Sequence, residues 1–177
     1  MSNPDESRSK DALRQELNRL EESAMYSAQG QFEQAKLWRG INLLVGIPAA
    51  LLAAVSGATG LADAANRVIA AYLALGSAGL GALVTLLNGN RRTQQAHGAA
   101  NAYLEVQTAA RQLREIDLPV LPFDEARTQL AELTARRDEI NKTADIPSRF
   151  AYRRAGRNIS GGGQTYAIDE QGGRSGD

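Results

Sequence analysis

Ile41 to Gly60 reads INLLVGIPAALLAAVSGATG, and it carries no charge in a chain that elsewhere looks water-soluble. It belongs to a run of 23 uncharged residues between Arg39 and Asp63, and a second run of 23 lies between Arg67 and Arg91. As helices, at about 1.5 Å per residue, each covers roughly 35 Å, enough to cross a hydrocarbon core of about 30 Å. A helix buried on one side of a soluble protein shows water a polar residue every third or fourth position. Here the polar side chains are only Asn42, Ser56 and Thr59 in the first run and Tyr72, Ser77 and Thr85 in residues 68–87 of the second. Neither run has a wet face, and the remaining segments are too charged to wrap two helices in an apolar shell. The pattern predicts an all-α fold: a two-transmembrane helical hairpin, with cytoplasmic helices before and after it.

The rest of the chain sets the boundaries. Residues 1–36 hold seven acidic and five basic side chains and no apolar run, so no signal peptide is expected. Leu13, Leu17, Leu20 and Ala24 alternate spacings of four and three, the seam of a paired helix. The hairpin is expected over 37–92, with spans at 41–61 and 68–88. The connection GLADAANR is short, which makes the spans antiparallel. Lys36, Arg39, Arg91 and Arg92 flank the pair while Arg67, beside Asp63, lies between its members. The positive-inside bias therefore places both termini in the cytoplasm, for a multi-pass membrane protein. Trp38, Arg39, Arg91 and Arg92 are the expected interfacial anchors.

A cytoplasmic helical region is expected over 93–157. Ala99, Tyr103, Val106, Ala110 and Leu113 form a second stripe, and Ala126, Leu130, Leu133 and Ile140 a third after the Pro119–Pro122 break. Asp124 and Glu125 sit where a helix N-terminus favours negative charge. Three stripes imply a helical bundle, built within one subunit or between subunits. RFAYRRAGR, Arg149 to Arg157, is basic and aromatic. Three readings stand for it: contact with anionic lipid head groups, contact with nucleic acid, or a solvated charged turn. Residues 158–177 are Gly-rich and polar and read as a flexible tail.

Small residues recur at every fourth position inside the spans, as Gly46, Ala50, Ala54 and Ala58 and as Ala70, Ala74, Ala78 and Ala82. In lipid such stripes let backbones approach and gain dispersion contacts. Pro48 removes one backbone hydrogen bond and should kink the first span. Asn42, Ser56, Ser77, Thr85 and Asn88 are candidate pore-lining groups: in an antiparallel hairpin centred near Leu51 and Ala78, Asn42 lies level with about Asn88 near the cytoplasmic entrance, Ser56 and Ser77 lie deeper, and Thr85 lies toward the cytoplasmic side. Either they face neighbouring helices or water, or the hydroxyls bond their own preceding carbonyls.

Catalytic constellations are scarce. The chain has no cysteine and one histidine, and its formal net charge is zero. Disulfides, thiolate nucleophiles and thiolate metal sites are excluded; no cofactor, metal or nucleic acid is expected. Gln94, His97, Asn101 and Glu105 share helical spacing and form a juxtamembrane polar face. A lone histidine there reads more readily as a packed residue than as a general base, because no nucleophile stands beside it. GSAGLG at Gly76 lacks the preceding strand of a phosphate loop. NIS at Asn158 matches a glycosylation sequon made inert by a cytoplasmic position. The chain does not read as an enzyme.

The order of elements, with AKLWRGINLLVG before the first span, RRTQQAHGAANAYLEVQTAARQLREI after the second and IPSRFAYRRA downstream, resembles the SLATT family, the SMODS and SLOG-associating two-transmembrane effector domains. The resemblance covers roughly Leu17 to Arg157, with His97 and Tyr103 in the family's His-and-aromatic pattern. It implies a bacterial membrane effector of a nucleotide-signalled, antiviral conflict system, acting by pore formation or membrane disruption. Two helices cannot enclose a channel, so a homo-oligomer in the lipid bilayer is implied. The trigger would come from a separate nucleotide-synthesising or nucleotide-sensing protein. The competing expectation is a membrane scaffold that presents its cytoplasmic helices to a partner without killing.

Overall fold

A computed structural model describes residues 4–62 and 67–161. The described residues are helical with no strand: α1 Pro4–Ala62, α2 Arg67–Leu87, α3 Gly89–Gln112, a π-helical turn Leu113–Asp117, α4 Phe123–Thr143 and α5 Arg149–Ser160. Asp63, the tip of the GLADAANR connection and the tail from residue 162 lie outside them. The chain divides into two compact units, at Glu33/Gln34 and at Gln95/Ala96.

In the first unit, the three apolar stripes meet within one chain. Leu13, Leu17, Leu20 and Ala24 of α1 pack with Val106, Ala110 and Leu113, with Leu118 and with Ala126; Leu130, Leu133 and Ile140 close the cluster. On α3 the buried line runs Ala96, Ala100, Tyr103, Val106, Ala110, Leu113. Ala99 is only half-buried, because its neighbour Ala100 occupies that turn of the seam. The seam ends in the π-turn, where the Leu118 amide donates to the Leu113 carbonyl at 2.8 Å. This wider turn brings Arg114 onto Glu21 of α1 at 2.7 Å, with both side chains about four-fifths buried. The Lys10 ammonium donates to the Leu121 carbonyl and ties the following turn to α1.

Past Ala24 the buried line of α1 turns polar. Gln29, Gln31, Glu33 and Gln34 are all buried. Buried amides need partners: Gln31 Nε2 donates to the Asp145 carbonyl at 2.6 Å, and Asn158 Nδ2 donates to Gln29 Oε1 at 3.2 Å. Gly30 fits this crowding, since a Cβ there would stand 3.3 Å from Pro147 Cγ.

The segment Arg149 to Arg157 is not a turn. It is helix α5, which runs through Ser160, past the boundary expected at residue 157. The Ser148 hydroxyl caps its start by accepting from the Ala151 amide. Ala151 and Ala155 are its buried residues.

Candidate functional site: the two apolar helices

The second unit holds the C-terminal part of α1, α2 and the start of α3. Both helices are long and apolar enough to cross a membrane, and only 6% of each apolar window is buried. A core helix of a soluble protein meets the same length test with most of its surface covered. Here Leu44, Leu51, Leu75 and Leu86 are 76, 61, 69 and 82% exposed. Single exposed leucines are ordinary, but two continuous apolar cylinders are not. Helix α1 passes through Pro48 without a break.

Polar groups are bonded between the two helices. The Ser77 hydroxyl donates to the Ala49 carbonyl at 2.9 Å, and the Ser56 hydroxyl to the Ala70 carbonyl at 2.8 Å. Asn42 Nδ2 donates to Asn90 Oδ1, and a Cβ on Gly89 would meet that Asn42 side chain at 3.2 Å. The pairs 42 with 90, 49 with 77 and 56 with 70 establish an antiparallel register. Two hydroxyls therefore bond across to the facing helix, whereas Thr59 and Thr85 bond back to Val55 and Gly81 of their own helices. Apolar side chains outward with polar groups turned in is the arrangement a lipid solvent selects, since hydrocarbon cannot satisfy a hydroxyl.

The half-buried residues on α1 recur as Val45, Ala49, Leu52, Ser56 and Thr59, and on α2 as Leu73, Ser77, Leu80, Val84 and Leu87 after buried Ala70. Both lines alternate spacings of four and three, the period of a left-handed helix pair. The small-residue ladders sit elsewhere. Gly46 is half-buried, but Ala50, Ala54, Ala58, Ala74, Ala78 and Ala82 are exposed. At about 100° per residue, the α1 ladder lies roughly opposite the contact line. Of the ladder residues only Ala70 is buried in the contact, where its carbonyl accepts from Ser56; the other alanines of both ladders face outward. Spacing by fours was the louder signal in the sequence; Ala49 and Leu52, which make the contact, are hidden among identical neighbours.

The Arg92 guanidinium stacks over the Trp38 ring at 4.7 Å. This cation–π pair joins two of the expected anchors, while Arg39 and Arg91 are exposed. Asn88 adopts a positive φ of 49° at the junction of α2 and α3, a conformation asparagine tolerates better than most residues. Gln94, His97, Asn101 and Glu105 are all exposed. His97 packs edge-on against Phe32 with ring centroids 5.7 Å apart, and Glu105 is ion-paired with Arg136. No group of three or more His, Cys, Asp or Glu is placed to hold a metal among the described residues.

Tyr103, buried in the α3 seam, donates from its phenol to Asn141 Oδ1 at 2.6 Å. Burial raises its pKa above the ordinary value of 10.0, and the Arg137 charge pulls the other way. A raised folded-state pKa favours the neutral phenol, so this stability is complete below about pH 10 and lost as pH rises through the folded value. Tyr103 is expected to ionise above the ordinary tyrosine value in an ultraviolet pH titration. Tyr103→Phe should remove that late step.

No protein-family model matches the chain, and no curated protein and no solved structure matches it.

Proposed function

We propose that the chain is a two-span protein of a bacterial inner membrane, with both termini in the cytoplasm, that acts as an effector by self-association within the bilayer. The observation that carries the reading is the inverted pattern of the apolar pair: leucines outward, serine hydroxyls bonded between the helices, small-residue ladders outward and unused. Lipid covers the leucines. The ladders give a second copy a smooth surface on which to pack, because close backbone approach supplies the dispersion energy that drives helix association in lipid. The role in a nucleotide-signalled antiviral conflict system comes from the element order shared with SLATT effectors, and on that reading a separate nucleotide-synthesising or nucleotide-sensing protein supplies the trigger.

One observation favours a second reading, a non-killing membrane anchor. Ser56 and Ser77 spend their hydroxyls inside the hairpin, so in this arrangement they offer no polar line to a pore. Reconstitution separates the two. With the purified chain in vesicles at rising protein-to-lipid ratio, mass action drives assembly without a trigger. The effector reading expects collapse of a potassium diffusion potential that steepens with protein density. Gly46→Leu with Ala50→Leu should abolish it. Gly46 has no atom near its Cβ position and Ala50 is exposed, so the hairpin itself tolerates both changes. Vesicles that hold their potential at every ratio would leave only the anchor.

A further inference from the structure

Helix α5 lies across α1. Pro147, immediately before it, packs at Gly30, and Asn158, near its end, reaches Gln29. A helix of 12 residues is about 18 Å long, so both ends can meet adjacent residues of α1 only if it crosses steeply. Its two flanks look in opposite directions along α1. Tyr152 lines a cleft of about 440 Å³ with Arg19, Glu22 and Tyr26, whereas Arg154 pairs with Glu33 at 3.3 Å.

Ala151 and Ala155 are the buried side of the helix. On the opposite side, Arg149, Arg153 and Arg157 follow at intervals of four and form one stripe. All three are exposed, and among the described residues none of their guanidinium groups has an ion pair or hydrogen bond. Phe150, beside the stripe, is 54% exposed. No acidic residue occurs in the helix. Three adjacent guanidinium groups, flanked by a half-exposed aromatic ring over which Arg154 lies at 5.9 Å, raise the question of what neutralises them.

We propose that α5 is a docking helix for an anionic bilayer surface, its arginine stripe binding lipid phosphates and Phe150 entering the head-group layer. The inference rests on the membrane reading given above and adds a lipid-specific contact outside the spans. Arginine suits the task because its planar fork binds phosphate oxygens in pairs. Lipid is the favoured occupant for two reasons. On the membrane reading the same chain is anchored in a bilayer through its two apolar helices, so lipid phosphates are always at hand. A chain of zero net charge with three aligned arginines falls short of the phosphate contacts a nucleic-acid protein makes.

The test follows amide exchange across residues 149–160 in the full chain, reconstituted in nanodiscs of neutral phosphatidylcholine or of phosphatidylcholine with phosphatidylglycerol. Exchange should be at least about tenfold slower in the anionic discs, and the difference should vanish at high salt. Arg149→Gln with Arg153→Gln and Arg157→Gln should erase the difference while leaving exchange in neutral discs at the wild-type rate. Lysine at the same three positions should restore most of it. Equal exchange in the two lipids would overturn the proposal. So would protection of α5 by a single-stranded RNA oligonucleotide in neutral discs that exceeds the protection by anionic lipid. Flotation of the discs with the chain attached scores the membrane reading separately, so its failure is not confused with failure of α5.

Discussion

Arginine in place of Leu51 is expected to drive the chain out of the membrane fraction. Leu51 stands at the middle of the first uncharged run and is 61% exposed. In lipid, exchanging a central leucine for arginine costs about 3 kcal/mol or more, and a second arginine at Leu75 adds to it. If water rather than lipid bathed this surface, the same change would replace an exposed leucine by an exposed arginine and shift stability by no more than about 0.5 kcal/mol. The two solvents thus predict opposite outcomes for one substitution. Resistance to alkaline extraction in cells expressing the chain reads the difference directly. Wild type should stay with the lipid and the double variant should appear in the supernatant or be degraded.

The second large effect lies in the other unit. Leu17 has no exposed surface and sits among Leu13, Leu20, Val106 and Leu113. Leu17→Ala removes its side chain from a cluster in which three helices meet, at a cost of about 3 kcal/mol in transfer and cavity energy. Opening of this bundle should become about 100-fold more frequent, visible as faster amide exchange through residues 103–113 and 126–140 with the chain held in nanodiscs. Exchange in α2 should not change, because no residue of that helix belongs to the cluster. A uniform acceleration through both units would show that they open as one.

These two outcomes depend on features of unequal legibility. The apolar runs and the 13, 17, 20, 24 stripe are periodic in residues whose hydrophobicity is unambiguous, so element type and core membership could be read before any coordinates. Where periodicity was carried by alanine, it failed to specify a face: Ala99 was expected in the seam that Ala100 takes, and of the two ladders only Ala70 is buried where their own two helices meet. Alanine and glycine give too little contrast for a period of four to be told from one of three and four. The polar stretch Gln29 to Gln34 was illegible for a different reason. Its burial comes from Asp145, Pro147 and α5, more than a hundred residues downstream, and nothing local marks it. Helix α5 itself hid behind its charge, since two alanines are its whole buried face.

The inward bonds of Ser56 and Ser77 also bear on mechanism. A hairpin held by hydroxyl-to-carbonyl bonds in a low-dielectric medium resists separation. On the effector reading proposed above, a change from resting to assembled state that keeps those bonds packs the outer faces. The ladders lie there.

The chain has no cysteine, so a single thiol can be introduced at any position without background. Spin labels at Leu51→Cys, Leu75→Cys and, for comparison, Glu22→Cys of the reconstituted chain can be challenged with oxygen, which concentrates in hydrocarbon, and with a nickel chelate confined to water. Lipid around the apolar pair predicts strong oxygen and negligible nickel collision at positions 51 and 75, and the reverse at 22. Nickel collision at 51 and 75 equal to that at 22 would contradict it.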